Sequence, residues 1–366
     1  MKFTCDKKTL AEAVAGVSRA VTAASAIPVL QGILLKAEGF KLELTGYDLE
    51  MAITTTLEAN VTEPGEIVLS AKLLGDMLRS LSSSEVSIES DDTLSTHITG
   101  GITEYDIMGM SAGDFPELPA PGADFAFEID AAELAGMIGM TLYAVSNDDK
   151  KPAHTGELFA IEPGEVTVVA LDGFRLAITR HPVATDREIN LVVPAKTAAE
   201  VARLMGDSGE NIQVDANKRY AVFSGGNYVV MSRLIEGEFL NYKTVVPEGY
   251  KTRVVVDVPE FERAIERCSV IITERLKNPL RITFGDGIDI KCQTPLGRVS
   301  DRLPADIEGD VVEIGFNYRY LLDALRNSGC DRVVIEVSGP LSPVKILPAE
   351  GDDFLFLVLP VRFKND

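Results

Sequence analysis

The sequence has no tryptophan, only three histidines (His97, His154 and His181) and four cysteines (Cys5, Cys268, Cys292 and Cys330), none of them in a C-x-x-C pair. These shortages exclude the usual zinc spacings and a disulfide framework, so no metal and no cofactor is expected. No apolar run approaches the roughly 20 residues a membrane helix needs, and the opening MKFTCDKKTL lacks the apolar stretch of a signal peptide. The expected location is therefore the cytoplasm, with no membrane partner. Enzyme signatures are missing too: there is no G-x-G-x-x-G opening a helix, no G-x-x-x-x-G-K-[ST], no H-E-x-x-H and no G-x-S-x-G. Asp148, Asp149 and His154 are close in sequence, but they fall in a Lys- and Pro-containing loop that reads as a solvated turn. Asp172-Gly173 likewise reads as a turn between strands. No catalytic residue is assigned.

Basic residues are scarce, 35 against 56 acidic ones, for a formal charge of -21. As an average this speaks against nucleic acid, unless the cations are gathered on one surface. What is present is a globular composition, 46% hydrophobic and 25% charged over 366 residues, enough for two or three domains. An internal period sets the number at three. The pattern basic-x-x-x-acidic-x-x-basic occurs at Lys72, Asp76 and Arg79, at Lys196, Glu200 and Arg203, and at Arg319, Asp323 and Arg326, about 124 residues apart. Each copy follows one apolar strand and precedes another. A second trio keeps the period: KFTCDKKTL, FAFEIDAAEL and RVVVDVPEF each run strand, Asp, helix. Asp6, Asp130 and Asp257 stand at N-cap positions, and Glu133 and Glu260 complete a capping box in two copies. Between the helices, alternating stretches such as FKLELTGYDLEMAITTTLEA and EVTVVALDGFRLAITRH read as antiparallel strands. The expected fold is α+β: three similar domains at 1–120, 124–247 and 252–366, each with two helices packed on antiparallel sheets.

The charged pattern can be placed on a helix by angle. With Lys72 at 0°, Arg79 falls at about −20° and Asp76 at about 40°, while Leu74, Met77, Leu78 and Leu81 lie between about 140° and 240°. Ala198, Val201, Ala202 and Met205 oppose Lys196 and Arg203 in the same way. Leu321, Ala324, Leu325 and Gly329 oppose Arg319 and Arg326. On the first helices, Lys8 and Arg19 share a face and Arg263 lies opposite Phe261, Ile265 and Cys268, whereas the second domain offers only Lys150 and Lys151 after its helix. Singly, each stripe is an ordinary solvated helix face. Repeated three times, they carry a further expectation: if the helices face one shared surface, that surface is basic although the chain is acidic, and it can contact phosphates.

In order and spacing, MKFT, IPVLQGILL, ELTGYDLEMAI, AGDFPELP, ALDGFRLA, EIGFNYRYLLDAL, LSPVKI and the closing LVLPVR resemble the ring-shaped sliding clamps of bacterial replication, the beta subunits of DNA polymerase III. The likeness spans nearly the whole chain. It implies a DNA-clamp fold, a head-to-tail homodimer forming a six-domain ring, and a processivity factor rather than an enzyme. Implied partners are double-stranded DNA held without sequence preference, the replicative polymerase's catalytic subunit, the clamp loader and other repair and replication proteins. The basic residues named above become candidates for the DNA-facing lining, with Asp76, Glu200 and Asp323 moderating their attraction. A peptide cleft between the second and third domains is implied at His154, Leu171, Gly173, Phe174, Arg175, Leu176, Leu240, Val245, Tyr320, Pro343, Leu357, Leu359, Pro360, Val361 and Arg362. The dimer interface is implied at Tyr105 and Ile107 against Val270 and Ile271. The chain departs from the family pattern at His154, usually apolar, at Leu171, commonly threonine, at Leu240 with the NYK that follows it, and at Ala24, where a DNA-contacting arginine is common. Without the resemblance, the cleft residues read as strand and core positions, and a repeat scaffold that binds only proteins stays open beside the clamp and enzyme readings.

Overall fold

The computed structural model describes residues 1–366 except 23–24, 120–121, 123, 274–277 and 364–366. Ala24 and the expected domain ends at 120 and 366 lie outside the described residues. Three times the chain runs strand, helix, strand meander, helix, and three more strands. The first pass is β1 (Lys2–Asp6), α1 (Lys7–Val17), β2 (Gly32–Glu38), β3 (Lys41–Tyr47), β4 (Met51–Glu58), β5 (Asn60–Glu63), β6 (Gly65–Ser70), α2 (Ala71–Ser80), β7 (Glu85–Ser90), β8 (Ser95–Gly100) and β9 (Thr103–Met108). The second is β10 (Phe125–Asp130), α3 (Ala131–Thr141), β11 (Gly156–Glu162), β12 (Glu165–Leu171), β13 (Arg175–Pro182), β14 (Ile189–Pro194), α4 (Ala195–Met205), β15 (Asn211–Ala216), β16 (Tyr220–Gly225) and β17 (Tyr228–Arg233). The third is β18 (Thr252–Asp257), α5 (Val258–Ser269), β19 (Leu280–Phe284), β20 (Ile288–Thr294), β21 (Gly297–Leu303), β22 (Asp306–Gly309), β23 (Val312–Phe316), α6 (Tyr318–Arg326), β24 (Arg332–Val337), β25 (Val344–Pro348) and β26 (Phe354–Val358).

Helices begin where a short polar side chain can take up the first unpaired N–H groups. Asp6 Oδ1 accepts from Thr9 N at 2.8 Å, Asp130 Oδ1 from Glu133 N at 3.1 Å and Asp257 Oδ1 from Glu260 N at 2.8 Å. Ser70 caps α2 and Asn317 caps α6 in the same manner. Two details of the helical wheels need correcting. α1 stops at Val17 and residues 18–20 form a 3-10 turn, so Lys8 and Arg19 do not share a face of one continuous helix. Ser18 Oγ donates back to Val14 O at 2.5 Å, and β3 crowds the helix end: a Cβ at Gly46 would stand 2.2 Å from Val17 O. Gly329 lies beyond the end of α6, which Asn327 caps, and its φ of +65° is a left-handed position that suits glycine. Because the atom met at Gly46 is backbone, Gly46→Ala is expected to cost about 1–3 kcal/mol, read as a lower urea midpoint at unchanged slope.

Among the described residues, neighbouring strands pair antiparallel, in sheets ordered β5-β1-β7-β8-β9, β10-β15-β16-β17-β4-β3-β2-β6, β14-β11-β12-β13-β26-β25-β24-β18-β22 and β21-β20-β19-β23. Two of these sheets cross from one repeat to the next. Pairing of β17 with β4 joins the second repeat to the first, and pairing of β13 with β26 joins the second to the third. The compact packing units therefore differ from the sequence repeats. One unit comprises Met1–Ala135 with Glu200–Leu234, the other Gly136–Ala199 with Ile235–Asp366. In the first, α1 packs beside α2; in the second, α5 packs beside α6. There Phe261, Ile265 and Cys268 of α5 and Leu321, Ala324 and Leu325 of α6 join Val254, Ile282, Ile290, Ile335 and Ile346 in one apolar cluster. Each buried Leu, Ile or Phe contributes about 1.5–3 kcal/mol, so the apolar helix faces hold the charged faces outward. No helix among the described residues is long and apolar enough to cross a membrane.

Candidate functional site

The expected peptide cleft lies within the second packing unit, and a four-residue turn organises it. After β12, Asp172 Oδ1 accepts from Phe174 N at 2.8 Å and Arg175 N at 3.1 Å, while Gly173 takes φ +90°. This turn sends neighbouring side chains in opposite directions. Phe174 is 57% exposed and stacks on Tyr320 of α6, with ring centroids 5.8 Å apart. The Arg175 side chain is only 13% exposed; its Nε donates to Asp172 Oδ2 at 3.0 Å and its Nη1 to Asp323 Oδ2. The guanidinium carbon stands 4.9 Å from the Tyr320 ring centre and 5.3 Å from that of Tyr143. Arg175 thus joins the β12–β13 turn to α6.

Leu171, Leu176 and Leu357 are buried in one cluster with Leu158, Val192 and Tyr242, so they form the floor beneath the site rather than its exposed wall. Phe174, Leu240, Val245 and Val361 are exposed apolar residues and can meet a ligand directly. His154 meets Phe239 edge-on with ring centroids 5.4 Å apart, and Phe239 packs on the same cluster. Burial, helped by Lys151, holds the His154 imidazole below its ordinary value. The departure at this position therefore favours the uncharged ring. The C-terminal segment is pinned at both ends: Leu359 N donates to Phe174 O at 2.9 Å and Val361 N to Gly315 O at 2.8 Å. Gly315 makes that approach possible, because a Cβ there would stand 2.4 Å from Val361 O. Half-buried Leu359 and Pro360 and exposed Arg362 follow this path, while half-buried Pro343 lies just before β25, the neighbour of β26.

Sequence reasoning missed Tyr143, Phe239 and the Arg281 guanidinium, which covers the Phe363 ring at 4.0 Å and holds the tail. It also misassigned Asp323, expected to moderate Arg319 and Arg326. The nearly buried Arg175 needs a counter-charge and takes that carboxylate, and Arg326 pairs instead with Glu266 of α5 at 2.5 Å. The only advance sign of Tyr143 is an aromatic residue with a polar tip at the end of an apolar helix.

The lining candidates Lys8, Arg19, Lys72, Arg79, Lys150, Lys151, Lys196, Arg203, Arg263, Arg319 and Arg326 are all exposed. Asp76 pairs with Lys72 at 3.4 Å and with Arg79, and Glu200 pairs with Arg203 at 2.7 Å. An exposed pair such as Lys72 with Asp76 contributes about 0–1 kcal/mol, so a phosphate can compete for the cation, whereas Glu200 keeps only 13% of its side chain exposed. Lys150 and Lys151 sit in a turn where Asp148 Oδ1 accepts from Lys150 N at 3.1 Å. That is a turn-forming role for the suspected acid. Tyr105 and Ile107 lie on β9, the outer strand of its sheet, with Tyr105 Oη 2.8 Å from Ser80 Oγ. Exposed Val270 and half-buried Ile271 follow α5, which packs on β21, the outer strand of the four-stranded sheet.

Comparison with known proteins places this geometry. Models of the DNA polymerase III beta subunit match residues 1–119 (N-terminal domain), 128–241 (central domain) and 243–362 (C-terminal domain). Beta sliding clamps of Staphylococcus aureus and Bacillus subtilis are each 29% identical, over 99% of this chain and 99% and 100% of their own lengths. The crystal structure of the Bacillus subtilis DNA polymerase sliding clamp superposes with a TM-score of 0.95 at 29% identity, covering 100% of both chains. A Pseudomonas aeruginosa sliding clamp bound to griselimycin gives 0.95 at 27% identity, covering 99% of this chain and 100% of its own. With three successive family models accounting for nearly its full length, the chain belongs to the DNA polymerase III beta subunit family and is a sliding clamp, a non-catalytic processivity factor of DNA replication.

Proposed function

We propose that two copies, each with clamp domains at 1–120, 124–247 and 252–366, join head to tail into a six-domain ring around duplex DNA. The observation that supports this most is the exposed basic pair on the second helix of every repeat, Lys72 with Arg79, Lys196 with Arg203 and Arg319 with Arg326, in a chain of charge -21. A ring retains DNA by topology, so its lining needs only weak attraction to phosphates, and the acid-paired cations suit sliding. The acidic remainder repels DNA from the outer surface. Tyr105 and Ile107 of one copy meet the third domain of the other near Val270 and Ile271. Through the cleft around Arg175, Phe174 and Tyr320, the ring takes short apolar peptide segments from the replicative polymerase's catalytic subunit, the clamp loader and other repair and replication proteins. It acts in the cytoplasm, where the bacterial chromosome is copied.

The test is loading onto nicked circular DNA followed by linearisation. Release from the cut DNA is expected, and a complex that survives cutting overturns encirclement. Reversal of Lys72, Lys196 and Arg319 to Glu in one chain is expected to lower loading and to flatten its salt dependence, by about 0.9 in log–log slope for each phosphate no longer neutralised. Unchanged loading removes these residues from the lining.

A further inference from the structure

The outer face of the third repeat's meander departs from the other two. Three residues before the second helix of each repeat, a ladder crosses the sheet. It reads Val68, Leu34, Thr45, Thr54 in the first repeat, Val192, Leu158, Val169, Ile178 in the second, and Gly315, Arg281, Lys291, Ser300 in the third. The next pair on the same face is Tyr47 with Ala52, Leu171 with Leu176, and Gln293 with Arg298. Cations thus stand where the other repeats carry apolar or hydroxyl side chains. The chain following each repeat crosses this face at the same point: Met110 N donates to Val68 O, Ile235 N to Val192 O and Val361 N to Gly315 O, at 2.8, 2.9 and 2.8 Å. Beyond it, Phe115 and Phe239 pack on the apolar clusters of the first two repeats, whereas Phe363 lies on the Arg281 guanidinium.

Period-two alternation turns these cations away from the core, because Ile282 and Ile290 on the same strands pack in the cluster with α5. Lys291 directly faces Arg281, and Arg298 is its diagonal neighbour. Like charges placed in this way are destabilising. Arg281 is offset by Glu313 at 2.8 Å, and Arg302 stands opposite Asp289. Lys291, however, is flanked across the ladder by Arg281 and Ser300, and Arg298 faces Gln293. Lys291, Gln293 and Arg298 are exposed, and Leu296 in the adjoining turn is 68% exposed. In a chain of charge -21, this crowding of cations is unfavourable to the free protein and relieved by a bound anion.

We propose that this face docks a short acidic polypeptide segment of a partner protein, with carboxylates on Arg281, Lys291 and Arg298 and an apolar side chain against Leu296. The three cations lie within about two strand spacings, roughly 10 Å, and Glu313 and Asp289 bound them on the same face. A nucleic-acid strand running across the sheet meets those carboxylates, whereas a short peptide fits beside them. Leu296 adds an apolar grip that phosphates do not use. The surface shares no residue with the cleft around Arg175. Lys291 lies on an interior strand of its sheet, so its charge does not depend on whether a second copy meets this domain.

Fluorescence anisotropy of a labelled peptide of glutamates around one leucine, titrated with the full chain, tests the proposal. Binding is expected, weakening between about 0.05 M and about 0.3 M salt. Lys291→Glu and Arg298→Glu are each expected to raise the dissociation constant about 10-fold, while Lys291→Arg binds as wild type does. Lys218→Glu reverses an exposed cation of the second repeat and should change nothing; an equal loss there shows attraction to charge at large and overturns the site. Lys291→Glu also turns a repulsion toward Arg281 into an attraction, so its urea midpoint should rise while binding falls, which separates lost binding from lost folding. A lower midpoint overturns the unfavourable row and the proposal with it. Absent binding, or binding indifferent to Lys291, overturns it as well. So does a labelled single-stranded oligonucleotide that binds through Lys291 where the peptide does not, which assigns the face to nucleic acid. A smaller assembly of Lys291→Glu in sedimentation equilibrium overturns it in favour of a second copy.

Discussion

Arg175→Ala is expected to abolish peptide binding in the cleft and to cost the fold about 3 kcal/mol, the low end for a broken buried charge pair because Asp323 keeps 38% of its side chain exposed. The guanidinium serves four partners at once: Asp172 in its own turn, Asp323 on α6, and the faces of Tyr143 and Tyr320. Its removal leaves two carboxylates facing each other across an apolar gap and frees α6 from the β12–β13 turn. Phe174 then loses the stacked Tyr320 ring, and Leu359, held by the Phe174 carbonyl, loses its seat. Arg175→Lys is expected to restore little, since a point ammonium cannot match two carboxylates and two ring faces at once. Asp323→Asn keeps the Asp172 pair and should cost less than half as much. Urea denaturation gives the stability, and anisotropy of a labelled clamp-binding peptide gives the affinity. Native peptide affinity in Arg175→Ala would show that the cleft does not depend on this tie.

Glu157→Gln should stabilise the protein, and increasingly so as pH rises. Glu157 on β11 is fully buried, its Oε1 2.6 Å from Thr141 Oγ1 and its Oε2 without a partner, and burial pushes its carboxyl from 4.5 up to about 8. Thr141 Oγ1 donates to Glu157 Oε1 and also lies 3.0 Å from Met137 O. The folded-state value is raised for an acid, so between pH 4.5 and about 8 the unfolded chain releases a proton that the folded chain retains. Stability therefore falls across that window by about 1.4 kcal/mol per pH unit and levels off above it. Glutamine holds the hydrogen bond to Thr141 without titrating. The difference between variant and wild type, measured by urea denaturation from about pH 5 to about 8.5, should grow with pH, and other titrating groups cancel in it. A constant difference would mean that Glu157 is ionised throughout.

The exposed basic stripes were legible in the sequence because they depend on local geometry. The spacing of Lys72 and Arg79 sets their angle on any α-helix, and Leu74 and Leu78 decide which side is buried. The same holds for the caps Asp6, Asp130 and Asp257. Local reasoning fails where a neighbouring element intervenes. Periodicity carries the first helix on through Arg19, yet Ser18 and the approach of Gly46 end it two residues earlier. Asp323, identical in spacing to Asp76, is diverted to Arg175, which lies 148 residues away. The proposed cleft came only through resemblance, because Leu171, Leu176 and Leu357 look like any strand core and are in fact buried.

By itself the sequence determined the threefold repeat, the helix starts and the outward face of each basic stripe, since periods and caps act within a few residues. Only the tertiary structure decided which strands join the repeats. Strand pairing is set by which edges meet, with hydrogen bonds that every residue but proline can donate, so β4, β13, β17 and β26 carry no local mark of joining one repeat to the next.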